Sequence, residues 1–323
     1  MANYNDAFKY SLYPSRMSNP RYDINIQDTH KDTIPATLVI DSSRRNRDLY
    51  ENPGHYVFRL PTVYKDVISV ELMQANVPNS AYSINARNNQ LRFTYDNDND
   101  GDQESFTATL TPGNYTETTL ATEIAEQMNN QIINDPVNGI LTRNVDADRQ
   151  FGVTYDSVTQ RLTITAPRDT GAGAAMDADK DEVTITAGGD NGADELLGLG
   201  HTTLTSTTRV LTMPYSTVVR PDRYVVMEVQ GMERCDGNSN ALMNCFCIIP
   251  MDAASTGSDF LLIKDGDTID NDTYIYHFPE PLPKLAKMEI TFRAADGTEY
   301  DFNGRDHFLV FEIRCLNRPV KVG

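Results

Sequence analysis

The sequence has no tryptophan, only four cysteines and five histidines, and 28 basic against 46 acidic side chains in 323 residues. Each shortage excludes something. No apolar run approaches the roughly 20 residues a membrane-spanning helix needs, so no transmembrane segment is expected. The opening, MANYNDAFKYSLYPSRM, lacks the apolar core of a secretory leader, and synthesis and use in the cytosol are expected. Zinc sites need paired ligands, commonly two Cys-x2-Cys pairs or cysteines combined with histidines. The cysteines are Cys235, Cys245, Cys247 and Cys315, and the histidines at 30, 55, 201, 277 and 307 are scattered singly. Cys245 and Cys247, two apart, would share one face of a strand and read as free thiols packed in a core. The chain has no G-x-S-x-G elbow, no H-E-x-x-H pair, no P-loop and no G-x-G-x-x-G. No catalytic, cofactor-binding or metal residue is therefore assigned, and an enzyme is not expected.

The deficit of positive charge is uneven. Residues 1–65 carry 9 basic and 7 acidic side chains, residues 66–208 carry 7 and 22, and residues 209–323 carry 12 and 17. An acidic middle section repels phosphate, so direct nucleic-acid binding is not expected. The one tight basic cluster, Arg44, Arg45 and Arg47 in SSRRNRD, is short and flanked by acids, and reads as a solvated loop.

What is present is mostly β signal. Residues 1–35 are rich in Asn, Asp, Tyr, Ser and Pro, yet carry Phe8, Tyr10, Tyr13, Met17, Tyr22 and Ile26. They read either as an extended arm that orders on a partner or on the chain's own body, or as a loose terminus. Strand runs follow at ATLVID (36–41), HYVFRL (55–60) and VISVELMQANV (67–77), bounded by turn residues. After residue 209 they resume with RYVVMEVQG (223–231), MNCFCII (243–249), DFLLI (259–263), TYIYHF (273–278), AKMEITFR (286–293) and HFLVFEIRCL (307–316). Together they make about eight or nine strands, the number of an antiparallel jelly-roll sandwich.

Residues 82–208 read as an inserted α+β unit of β-β-α-β-β type. Its strands are LRFTY (91–95), SFTATL (105–110), FGVTYD (151–156) and QRLTIT (160–165), with EVTIT (182–186) as a further one. Its helix has Leu120, Ile124, Met128 and Ile132 at four-residue intervals, with Thr116 as N-cap. An Ala/Gly-rich loop, TGAGAAMDADKD, precedes EVTIT, and GADELLGLG closes the unit with a helical turn stopped by Gly198 or Gly200.

Two stretches imitate chemistry. YDNDNDGDQESF (95–106) sets Asp96, Asp98, Asp100 and Gly101 at the first, third, fifth and sixth positions of an EF-hand loop, with Asp102 alongside. That loop needs flanking helices and a bidentate Glu at its twelfth position, which here is Thr107 inside a strand. It reads as a turn. DGTEYDFNGRDH (296–307) gathers Asp296, Asp301, Asp306 and His307 and invites a general-base reading. However, Asp296-Gly297 and Asn303-Gly304 are turn dipeptides and His307 starts a strand.

Five stretches in order carry a resemblance: SVELMQANVPNSAYSIN (69–85), LTPGNYTETTLATEI (110–124), ELLGLG (195–200), YVVMEVQGMER (224–234) and HFPEPLPKLAKMEITFRAADGTEYDFNGRDHFLVFEI (277–313). The set is similar to minor structural proteins of the large nucleocytoplasmic DNA viruses of algae and amoebae, over roughly residues 36–316. The resemblance implies a jelly-roll minor capsid protein that bridges or underpins arrays of the major capsid protein in a giant-virus virion. It would be made in the host cytoplasm, with the major capsid protein, other minor capsid proteins and copies of itself as partners. No cofactor is implied. The expected layout is an arm (1–35), a sandwich (36–81 with 209–323) and an inserted domain (82–208). Pro279, Pro281 and Pro283 fit a stiffened strand entry whose pairing is blocked, since proline has no N–H. Two rivals share these features: a penton protein at fivefold vertices, and a surface module that binds host glycans. The second would want exposed aromatics, and tryptophan is absent.

Overall fold

The computed structural model describes residues 33–95, 103–133, 150–167, 182–206, 208–219, 222–234, 240–251, 259–263 and 274–317. The N-terminal arm to residue 32, the aspartates at 96–102, the whole Ala/Gly-rich loop (170–181) and Cys235 lie outside the described residues. Two compact units are present: one closes at Asn79 and resumes at Tyr224, and the other spans Ser80–Arg223. No described helix is long and apolar enough to cross a membrane.

Every strand pairing in the first unit, among the described residues, is antiparallel. Its strands are β1 (Thr33–Asp41), β2 (His55–Tyr64), β3 (Val67–Pro78), β11 (Tyr224–Val229), β12 (Cys247–Pro250), β13 (Asp259–Ile263), β14 (Ile275–Leu282), β15 (Leu285–Arg293) and β16 (Phe308–Leu316). One sheet runs β1-β16-β3-β13, with β14 also paired to β3; the other runs β12-β11-β15-β2. Alternation decides which side faces in. Along β16, Leu309, Phe311 and Ile313 are fully buried while Phe308, Val310 and Glu312 are half-exposed. Their inward partners on β3 are Ala75, Leu72 and Val70. That register holds only because β3 carries extra residues at Met73 and Ile68, bulges that restore the inward face after each slip. The second sheet contributes Tyr56, Met288, Ile290, Phe292, Val225, Met227 and Val229 to the core. Phe246, just before β12, meets Phe311 across the sandwich with ring centroids 6.2 Å apart.

The proline-rich stretch lies in β14. Pairing to β3 breaks between His277 and Leu282, the span that holds Pro279 and Pro281. Cysteine placement departs from the sequence expectation. Residues Asn240–Met243 form a short helix, and the strand begins only at Cys247, so Cys245 and Cys247 do not lie along one strand. Both are nonetheless buried free thiols.

The second unit holds a four-stranded sheet, β5-β4-β8-β9, and a three-stranded one, β10-β7-β6. The strands are β4 (Gln90–Tyr95), β5 (Glu104–Thr109), β6 (Gly152–Asp156), β7 (Arg161–Thr165), β8 (Val183–Thr186), β9 (Leu204–Ser206) and β10 (Val210–Thr212). Because β10 pairs with β7, this unit continues past residue 208. Its long helix, α1 (Glu117–Ile133), starts at a reciprocal cap. The Thr116 N–H donates to Thr119 Oγ1 at 2.9 Å, and the Thr119 N–H donates to Thr116 Oγ1 at 3.2 Å. Leu120, Ile124, Met128 and Ile132 are buried, each contributing about 1.5–3 kcal/mol. The helical turn Asp194–Leu197 stops at Gly198, which adopts φ 76° and donates its N–H to the carbonyls of Asp194 and Glu195. A Cβ there would lie 2.4 Å from the Tyr215 carbonyl oxygen, so only glycine fits.

Candidate functional site

The densest polar arrangement lies at one end of the first unit, where β1 ends, β2 starts and β16 starts. After β1, Asp41 accepts from the Ser43 N–H at 2.9 Å, and a single 3₁₀ turn, Ser42–Arg44, follows. Hydrogen bonds from Ser43 hold the Asp41 carboxyl below the usual carboxylate range. That turn aims Arg45 inward. Its guanidinium donates to the carbonyls of Ser42 (2.9 Å), Tyr50 (2.9 Å) and Glu51 (2.6 Å) and to the Asp306 carboxylate. Its side chain is 3% exposed. Arg47 reaches the other Asp306 oxygen at 3.0 Å from an exposed position, and Arg44 is exposed as well.

Arg45 overturns the reading of SSRRNRD as a solvated loop. A buried guanidinium persists only when paired and with its donors used, and Asp306 with three carbonyls supplies that. Arg44 and Arg47 do lie in solvent as expected.

His307 adjoins this network but its ring serves packing. The ring is enclosed by Phe292 (4.6 Å), Phe302 (5.1 Å) and Tyr56 (5.6 Å), centroid to centroid. Its Nε2 lies 3.1 Å from the Tyr56 hydroxyl, and its Nδ1 is buried without a hydrogen-bond partner among the described residues. Burial pushes the imidazole down to about 3, leaving it neutral at ordinary pH, and burial raises the Tyr56 phenol. The Ser42 hydroxyl donates to Asp306 at 3.1 Å and accepts from the His307 backbone N–H at 2.8 Å. It therefore meets the main chain of His307, while the ring points to Tyr56. A nucleophile needs its base within hydrogen-bond reach, and this pair is not so arranged. The backbone N–H of Ser42 donates to the His307 carbonyl at 2.9 Å, closing a two-way tie.

Of the four residues weighed for a general base, the fold brings only Asp306 and His307 to this cluster. Asp296 accepts from the Thr298 N–H (2.9 Å) and hydroxyl (2.6 Å), and Asp301 accepts from the Asn303 N–H (2.8 Å). Both act as turn formers. His55 sits apart, 3.4 Å from Glu289 and edge-on to Tyr50. The cluster locks three chain segments together, which is a mechanical task. Sequence reasoning missed Arg45 because its partner Asp306 lies 261 residues away.

A family model described as "Family of unknown function (DUF5901)" matches residues 25–151. No curated protein matches the sequence. Among solved structures, the mavirus penton protein is similar with a TM-score of 0.45 at 8% identity, over 88% of this chain and 99% of that one.

Proposed function

We propose that the chain is a structural protein of a virus shell, a minor capsid protein that bridges or underpins capsomers of the major capsid protein. The observation that carries this reading is strand order. With β13 and β14 counted together as the sixth strand of the first unit, one sheet reads first-eighth-third-sixth and the other fifth-fourth-seventh-second. The chain thus passes between sheets at every step except β11 to β12, the double Greek key of a jelly roll. Jelly rolls serve as shell proteins and as lectins. The ordered resemblance over residues 36–316 favours the shell, and an end locked by Arg45 and Asp306 suits a rigid building block. On this reading the protein resides in the virion and is not an enzyme. On the same reading Phe8, Tyr10 and Tyr13, which lie outside the described residues, supply contacts to a neighbouring shell protein. Modest contacts suffice, because a lattice holds partners at high effective concentration.

Cross-linking of purified particles, with linked peptides identified by mass spectrometry, tests this. Links from the arm or from residues 80–223 to a major capsid protein are expected. Absence of the protein from the particles overturns the reading.

A further inference from the structure

The half of β2 away from Arg45, from mid-strand to the turn after it, gathers four cations. Lys287 on β15 lies directly opposite Arg59 on β2. Leu285 lies opposite Tyr64, which puts Lys284 and Lys65 at the next step of the same ladder. The Asp66 N–H reaches the Pro283 carbonyl at 3.5 Å, so the β2–β3 and β14–β15 turns adjoin. All four cations are exposed, and none has an ion-paired or hydrogen-bonded side chain among the described residues. Like charges directly opposite on neighbouring strands disfavour the pairing that holds them there. The acids close by in sequence are Asp66, Glu280 and Glu289, and Glu289 is taken up by His55. In a chain of net charge −18, a patch of four unmatched cations stands out.

The second unit has the opposite charge balance. Residues 80–223 carry 10 basic and 21 acidic side chains, of which 5 basic and 10 acidic are among the described residues. Helix α1 has Glu117, Glu123 and Glu126 and no basic residue, with Glu126 exposed. We propose that the basic end formed by Arg59, Lys65, Lys284 and Lys287 binds the acidic second unit of another copy of this chain. The contact rests on the assembly reading above and names a partner for it. It joins two different patches, so two copies can make it reciprocally in a two-fold dimer, or successive copies can make it head-to-tail in a ring or lattice. Complementary fields of this kind speed encounter and fix orientation.

The test uses the full chain in light scattering at about 0.01 M and about 1 M salt, between which the screening length falls from roughly 30 Å to roughly 3 Å. Self-association at low salt should weaken at least tenfold at high salt, and poly-L-glutamate should compete it away. The variant combining Arg59→Glu, Lys65→Glu, Lys284→Glu and Lys287→Glu should stay monomeric while keeping the parent's unfolding midpoint. Carbodiimide coupling between isotopically distinct copies should join these lysines to carboxylates within residues 80–223. A protein that is monomeric at low salt, associates regardless of salt, or couples only to carboxylates of the first unit overturns the proposal. If the chain is cross-linked within particles yet does not associate with itself, this contact alone falls and the shell reading stands.

Discussion

The two ends of β2 treat positive charge in opposite ways. Near His55, Arg45 is buried, with Asp306 and three backbone carbonyls as partners. About 13 Å along the ten-residue strand Arg59 and Lys287 face each other, and Lys65 and Lys284 follow at its far end, all in solvent with no side-chain partner among the described residues. One end spends its charge on closing the fold. The other leaves it available. Buried charge survives only where every group is matched, whereas unmatched charge costs little while water still reaches it. The contrast separates residues that hold the sandwich together from residues that a neighbouring molecule can use.

Breaking the closed end should give the largest effect. Asp306→Ala removes the only charged partner that a buried guanidinium has among the described residues and should destabilise the first unit by about 3–5 kcal/mol in denaturant titration. A change below about 1 kcal/mol would mean that Arg45 is held by its carbonyl partners alone.

Acid should weaken the same end. The unfolded chain protonates His307 as pH falls through 6.5, while the folded protein does so only near 3. Its contribution is therefore complete above 6.5 and is lost as pH falls from 6.5 toward 3, by up to about 1.4 kcal/mol per pH unit. Asp306 and Asp41 oppose the downward shift, and Arg45 reinforces it. Comparing the pH dependence of His307→Phe with that of the parent isolates this slope, which should be absent in the variant.

Tyr56→Phe should cost about 1 kcal/mol, since it deletes the hydroxyl at Nε2 and leaves the aromatic packing in place. At the open end, Lys287→Glu should change stability by no more than about 0.5 kcal/mol, and in the stabilising direction, because it converts a like-charge pair with Arg59 into an opposite one. A loss above about 1 kcal/mol there would erase the distinction between the two ends.

Legibility in the sequence followed the same division. Alternation in HFLVFEIRCL and AKMEITFR located β16 and β15, and four-residue spacing located α1, because those signals are local. The strands β9 and β10 hold three residues each and are too short to show a period. Cys245 and Cys247 looked like neighbours on one face until a helical turn at Asn240–Met243 displaced the start of the strand. Arg45 was indistinguishable from Arg44 and Arg47, since what separates them is a carboxylate at position 306 that no local window contains. The opposition of Arg59 and Lys287 was hidden for the same reason, as it depends on a register between strands 228 residues apart in number. Asp306 and His307 stand out in the sequence as a candidate base, whereas the packing of three aromatic rings around the imidazole gives them a different task.

A built-in shell component, as proposed above, has a fixed copy number relative to the major capsid protein. Quantitative mass spectrometry of purified particles before and after washing with concentrated salt tests this most directly. A fixed ratio that survives the wash is the result expected of a shell component. A variable trace amount, or complete loss on washing, would contradict it.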